Sequence, residues 1–350
     1  MRNSIFILVL LFTSISVLGQ KEYDIRTIAF YNLENLFDTI NNVEKDDEYS
    51  PIMQMKENRS KVYWDKVANL STVLAQIGEE KTKTSPALIG VCEVENKTVL
   101  EDLAKTEKLK GENYGIIHVD SPDKRGIDVA LMYKTAYFKP VHYEVFNPNI
   151  YDNNEKVYTR DILWVSGHLD GELIHIVVNH WPSRRGGEVK SNHKREKAAY
   201  KVTKVIEKIR STDANAKILI MGDFNDNPTN TSFKEVLKTK GDKKEITDLD
   251  MMYNPYEEMF KNGLNTLRHG KELHVFDQII FSAPLLQKSE AHKNYKRYKV
   301  FKSGIFNKSF LTQQTGKYKG FPYRSFVRGR FTGGYSDHYP VYTYLIREAK

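Results

Sequence analysis

The chain has 350 residues, of which 40% are hydrophobic and 28% charged, an ordinary globular balance that excludes wholesale disorder. Lys and Arg outnumber Asp and Glu 53 to 45, and the net charge of +8 favours anionic partners without naming one. The single cysteine, Cys92, rules out a disulfide framework and any cysteine-built zinc or iron–sulfur site; it is expected in the core.

Met1-Arg2-Asn3 followed by the apolar run Ile5–Leu18 and Gly19-Gln20 reads as a secretory signal. The run holds about 14 residues against the ~20 needed to span a bilayer, and no later segment is apolar enough to span. Residues 1–19 are therefore expected to be a signal peptide. The working expectation for the rest is a secreted or periplasmic protein, a monomer with one domain over 20–350.

Arg26–Leu33 predicts a strand. The positions Tyr63, Val67, Leu70, Leu74 and Ile77 step by 4 and 3 and predict a helix capped by Ser60 and stopped by Gly78. Ala87–Val94 has the continuous apolar pattern of a strand buried on both faces. A helix over Lys97–Lys108 and a strand over Ile127–Tyr133 follow. Asp161–His168 and Glu172–Trp181 form a hairpin about Asp170-Gly171. Ser191–Ile209 is helical; Lys217–Met221, Val275–Ser282 and Pro340–Leu345 are strands. The irregular alternation predicts an α/β protein with mixed sheets covered by helices.

Between Leu285 and Tyr335 stand twelve Lys/Arg and one acid, Glu290, so this segment alone carries more positive charge than the whole chain. Phe306, Phe310, Tyr318, Phe321, Tyr323 and Phe326 interleave with the basic residues. One reading is a core-packing loop kept soluble by lysines; the other is a groove for an anionic polymer.

Five predicted strands end abruptly in Asn, Asp, Glu or His: Asn32 and Glu34, Glu93, His180, Asp223 and Asn225, Asp337 and His338. Polar groups gathered at strand ends make a rigid site. Carboxylates with an amide are hard oxygen donors suited to Mg²⁺, Mn²⁺ or Ca²⁺, and two histidines add proton transfer. Glu34 reads either as a cap or as a site residue. Glu95 is expected to be structural or solvent-facing, and Asp128 to pair with Arg125, Arg160 or a site histidine. His118 and the other histidines outside these motifs are expected to be structural or on the surface.

The motifs N-x-E (Asn32–Glu34), C-E-V-E-N (Glu93), G-I-D-V-A (Asp128), N-H-W-P-S (His180), G-D-F-N (Asp223–Asn225), F-D-Q-I (Asp277) and S-D-H (Ser336–His338) occur in this order. Together they resemble the endonuclease/exonuclease/phosphatase superfamily, which includes DNase I-like nucleases. The resemblance implies a four-layer α/β sandwich with two mixed sheets packed face to face. It implies Glu93 as a metal ligand with Asn32 and Asp337 beside it, and Mg²⁺ as cofactor with Mn²⁺ or Ca²⁺ as alternatives. Asp223 would orient or deprotonate water, with Asn225 on the phosphate. His338, held by Asp277, would bind the phosphoryl oxygen, and His180 would be the second histidine. One position departs: Thr135 follows Tyr133-Lys134 where DNase I-like enzymes carry a glutamate that supports the first histidine.

Arg184 and Arg185, just past His180, offer bidentate phosphate contacts, and Lys317, Lys319, Arg324 and Arg328 would line a substrate groove. The function implied is a metal-dependent phosphodiesterase, foremost a nuclease for DNA or RNA. A phosphatase or phospholipase-like hydrolase of inositol phosphates, nucleotides or sphingomyelin is the alternative, and a non-catalytic nucleic-acid binder the third. No exposed apolar hairpin argues for entry into a membrane.

Overall fold

The structure is a computed structural model that describes residues 21–287 and 294–349. The expected signal peptide, residues 1–19, lies outside the described residues, as do Lys288, Glu290 and Lys293 of the basic segment. Tyr23–Leu36 (β1), Leu88–Val94 (β2), Tyr114–His118 (β3) and Asp128–Lys134 (β4) begin one sheet. Phe138–Phe146 (β5), Ile162–Leu169 (β6), Glu172–His180 (β7), Ile218–Asp223 (β8), Thr239–Lys240 (β9), Met252–Tyr253 (β10) and Asp277–Ser282 (β11) form the second. Lys299–Ile305 (β12) and Val341–Glu348 (β13) return to the first. The orders are β12-β13-β1-β2-β4-β3 and β9-β10-β11-β8-β7-β6-β5. Both sheets are mixed: β1 and β2 run parallel, as do β7 and β8, between antiparallel neighbours.

Alternation along each strand builds the layers. Ile28 and Phe30 of β1, Ile176 and Val178 of β7, Leu219 and Met221 of β8, and Ile279 and Phe281 of β11 point into one core between the sheets. The intervening residues face outward. Ala29 and Tyr31 pack under the helices Arg59–Gln76 (α1) and Lys97–Ala104 (α2), and Ile218 and Ile220 pack under Glu188–Thr212 (α3). The result is helix, sheet, sheet, helix, the four-layer sandwich that the motifs implied. No helix among the described residues is long and apolar enough to cross a membrane.

Local chemistry sets the boundaries. Asn58, not Ser60, precedes α1, in a left-handed conformation at φ 60°. Asn96 caps α2 by accepting from Val99 N–H, and α2 ends at Ala104, four residues before the expected stop at Lys108. The β6–β7 hairpin turns at Asp170 and Gly171, both with positive φ, as a type I′ turn requires. Strand β5 had no clear signal in the sequence: it is an edge strand whose Lys139, Pro140, Val141, His142 and Tyr143 are exposed, so no buried face marked it. Asp128 pairs with none of its expected partners. Its carboxylate binds His118 Nε2 at 3.0 Å and Ser121 N–H at 2.8 Å, while Arg125 and Arg160 both bind Asp123.

Gly222 brings β8 close to β7. A Cβ there would lie 2.4 Å from the Asn179 carbonyl oxygen, an atom that cannot move without breaking the sheet. Gly222→Ala is expected to destabilise the fold by about 1–3 kcal/mol, the usual range for overpacking, in urea denaturation. An unchanged midpoint would contradict this close approach.

Candidate active site

The period-two alternation that packs the core also collects the site. His180 continues the inward face of Ile174, Ile176 and Val178; Asp223 continues Leu219 and Met221; Asp277 precedes Ile279 and Phe281 on the same face. In register, His180 lies opposite Asp223 and Asp223 opposite Asp277, so the three form a row across β7, β8 and β11. Asn32 faces that row from the first sheet, following Phe30 on the inward side of β1.

Glu93 reaches the same place by another route. Simple alternation would send it under the helices, opposite to Cys92. The strand bulges there: Cys92 pairs with Val129 and Val94 with Asp128, and Glu93 takes φ 58° between them. That left-handed kink, costly for a non-glycine residue, turns the carboxylate toward the row.

The contacts are dense. Asn32 Nδ2 donates to Glu93 Oε1 and to Asp223 Oδ2, both at 3.1 Å, and its Oδ1 accepts from Glu34 N–H at 2.9 Å. Asn35 N–H donates to Glu93 Oε2 at 3.0 Å. Asp223 Oδ1 accepts from Asn225 N–H at 3.0 Å. His180 Nε2 and His338 Nε2 stand 3.7 and 3.9 Å from the same Asp223 Oδ2. Behind His338, Nδ1 binds Asp277 Oδ2 at 2.7 Å. Ser336 Oγ donates to the Asn32 carbonyl at 2.7 Å and accepts from His338 N–H, tying the S-D-H turn to β1.

The two histidines are driven apart electrically. Burial works against charge on His338, but Asp277 and Asp223 outweigh it and raise its pKa well above the ordinary value. His180 is lowered well below that value by burial first, then by Arg160, Arg125 and His338. Its Nδ1 is buried without a hydrogen-bond partner. Thr135, which stands in place of the supporting glutamate, binds the Asn113 carbonyl instead. Asp223 is raised to about 7, by burial and Asp277 against the opposing pull of His338.

Several residues stand differently from the sequence expectation. Glu34 is no cap: it is buried and accepts from Ser325 N–H and Arg324 Nε. Burial and the nearby Asp337 raise it to about 7. Arg324 is not a free phosphate ligand, because it bridges Glu34 and Asp337, reaching Asp337 Oδ2 at 2.8 Å. Arg184 is also committed: its nitrogens bind the Asn225 carbonyl, Glu188, Asp226 and Asn230, and its plane stacks on Phe276. Asn225 donates its Nδ2 to the Trp181 carbonyl. Arg185, Lys317, Lys319 and Arg328 lie at the surface. Of the two roles expected for Glu95 the structure shows the structural one: it is buried and accepts from Asp38 N–H.

Two of the buried cations among the described residues stand beside the site outside any motif. Lys66 of α1 is 2% exposed and donates to Ser325 Oγ at 2.6 Å; burial lowers it to about 8 while Glu34, Asp337 and Glu93 pull it back up. Arg160 binds the Trp181 carbonyl and Asp123 beside His180. A lysine on the apolar stripe of α1 was the one signal for the first.

The donor set fits a hard divalent cation. Each Glu93 oxygen accepts one hydrogen bond and keeps lone-pair capacity, and the side chain is 19% exposed toward the opening. Glu34, Asp337 and Glu93 all act on the buried Lys66. Asn32 Oδ1 likewise accepts one hydrogen bond, from Glu34 N–H, and keeps lone-pair capacity beside Glu93. Asp223 offers ligand atoms within 4.8 Å of Asp277 and His338, and likewise of Cys92 and His180, but burial raises the Cys92 thiol well above its ordinary pKa, which disfavours it as a thiolate ligand.

Pairing with Asp277 keeps His338 charged above ~6.5, the pKa of a free imidazole. The stability this gives is complete below ~6.5 and lost as pH rises through the native-state value. The stability difference between wild type and Asp277→Asn, from urea melts, is expected to shrink as pH is raised from about 6. A difference that grows with pH would reverse the assignment.

The same arrangement of sheets recurs in known folds. A D. rerio TDP2 complexed with single strand DNA product superposes with TM-score 0.53 at 14% identity, covering 92% of this chain and 98% of that one. An endonuclease/exonuclease/phosphatase family protein from Bacteroides thetaiotaomicron gives 0.53 at 17%, covering 94% and 97%. A mannosyl-6-phosphatase from Bacteroides thetaiotaomicron VPI-5482 gives 0.51 at 16%, covering 91% and 99%. No curated protein sequence matches. Residues 27–347 match the Endonuclease/Exonuclease/phosphatase family, nearly the whole of the two sheets and every motif between Asn32 and His338, and the chain belongs to that family of phosphoester hydrolases.

Proposed function

We propose that this protein is a divalent-metal-dependent phosphodiesterase that hydrolyses nucleic acid strands. The observation that carries the reading is the convergence of His180 Nε2, His338 Nε2 and Asn32 Nδ2 on one oxygen of Asp223, with Glu93 alongside. Phosphodiester hydrolysis places negative charge on the phosphoryl oxygens and needs a water aligned opposite the leaving group.

Asp223, with its pKa pushed toward 7, is poised to accept a proton from the attacking water. His338, held charged by Asp277, donates through Nε2 to a phosphoryl oxygen. His180, held neutral, offers a second imidazole to the same Asp223 oxygen. Glu93, with Asn32 and Asp337 beside it, would hold Mg²⁺, which would polarise the phosphoryl group and offset its charge. Lys66 and Arg324 lessen the repulsion among those carboxylates.

The surface Lys317, Lys319 and Arg328 support a strand-shaped substrate, because basic side chains on an open surface suit a phosphate backbone. A second reading, a small phosphoester as substrate, is favoured by the commitment of Arg184 and Arg324 to internal partners. Salt separates the two. Lys317→Gln, Lys319→Gln and Arg328→Gln together should flatten the salt dependence of polymer cleavage, by up to about 0.7–0.9 in log–log slope for each phosphate no longer neutralised. An unchanged slope favours the small ester.

His338→Ala and Asp223→Ala should each lower kcat at least about 10²-fold in a folded protein, measured on bis-p-nitrophenyl phosphate with Mg²⁺ and EDTA controls. Glu93→Gln should move the Mg²⁺ titration to higher concentration. Wild-type turnover in the first two, or an overlaid titration in the third, would refute the corresponding role.

A further inference from the structure

A cavity of about 460 Å³ opens beside Asp337, within the size range of small-molecule sites. Arg268, Tyr318, Phe321, Tyr323 and Arg324 line it together with Asp337. It is built by the short hairpin Leu267–His269 with Glu272–His274 and by the loop that carries Tyr318 to Thr332. Neither segment belongs to the motif set. The hairpin is rigidly joined to the catalytic row: Thr266 Oγ1 accepts from Asp277 N–H, and the Thr266 carbonyl accepts from Tyr339 N–H at 2.7 Å.

Resting on the phosphodiesterase reading, we propose that this cavity receives the nucleobase attached to the scissile phosphate. Three observations specify a planar, acceptor-bearing ring. The Arg268 guanidinium lies over Phe321 at 4.6 Å, and Tyr318 meets Phe321 edge-on at 5.7 Å, so the wall is aromatic and cationic. Arg268 Nε is buried without a partner, a donor that a base carbonyl or ring nitrogen would satisfy. Two further groups of the wall are already engaged: Tyr323 Oη donates to the Thr332 carbonyl and Arg268 Nη1 to the Gly320 carbonyl. A base needs one donor for its acceptor atom and an aromatic surface to stack on. Asp337 and Arg324 also line the cavity, and Arg324 ties it to the candidate site by bridging Glu34 and Asp337.

The test compares adenosine 5′-monophosphate with ribose 5-phosphate as inhibitors of bis-p-nitrophenyl phosphate hydrolysis by the full chain with Mg²⁺. The expected result is an inhibition constant about ten-fold lower for the nucleotide, the scale of one base–aromatic stack. Phe321→Ala should erase most of that ratio, Phe321→Trp should keep it, and Arg268→Met should reduce it. If Phe321→Ala does not fold, Arg268→Met and Phe321→Trp carry the comparison. Equal constants in the wild type, or a ratio insensitive to both Phe321→Ala and Arg268→Met, overturn the base pocket while leaving the phosphodiester centre standing. Absence of any EDTA-sensitive hydrolysis overturns the centre instead. Ligand-observed NMR with adenosine then decides the pocket by itself: saturable binding that Arg268→Met abolishes supports it, and no binding refutes it.

Discussion

Like-charge repulsion is the constraint around which this molecule is organised. Glu34, Glu93, Asp223, Asp277 and Asp337 are drawn to one edge of the sandwich, and three of them are at most 2% exposed. Buried carboxylates in such proximity cannot all stay ionised without compensation. The fold supplies it from several directions. Asp277 is paired with His338, Glu34 and Asp337 are bridged by Arg324, Lys66 rises from α1 through Ser325, and the Asn32 amide donates to two of the acids at once. Burial and Asp277 still raise Asp223 against the pull of His338, and burial and Asp337 raise Glu34 against Lys66 and Arg324.

The same electrostatics separates the histidines. Both point Nε2 at Asp223, yet only His338 has a carboxylate behind it. His180 faces Arg160 and Arg125 and keeps an unpartnered Nδ1. The position that would have carried its supporting glutamate is Thr135, whose hydroxyl is turned to the Asn113 carbonyl. One imidazole is thereby suited to donate and the other to remain neutral, a division of labour set by neighbours rather than by the ring itself.

Basic residues divide likewise into fastenings and surface. Arg184 and Arg195 both reach Asp226, which is fully buried, and lock α3 to the loop after β8. Along the chain, Arg184 and Arg185 look like a matched pair of phosphate ligands. In the fold one is stacked and saturated and the other exposed. Nothing in the local pattern distinguishes them, because most partners of Arg184 lie some forty residues away in sequence.

The layers and most of the polar side chains of the site are legible along the chain. Period-two alternation tells which residues of a strand share a face, so the inward placement of Asn32, His180, Asp223 and Asp277 follows from the apolar residues two and four positions away. Where local geometry breaks that rhythm, contacts between distant segments set the outcome. Glu93 turns inward through a bulge whose register is imposed by β4. Glu34 is held by Ser325 and Arg324, which come from the far end of the chain. Edge strand β5 has no buried face to announce it, and Lys66 hides among the apolar residues of a helix. Strand periodicity is written locally, whereas partners of buried charges are chosen across the fold, by whichever distant groups arrive close enough to offset them.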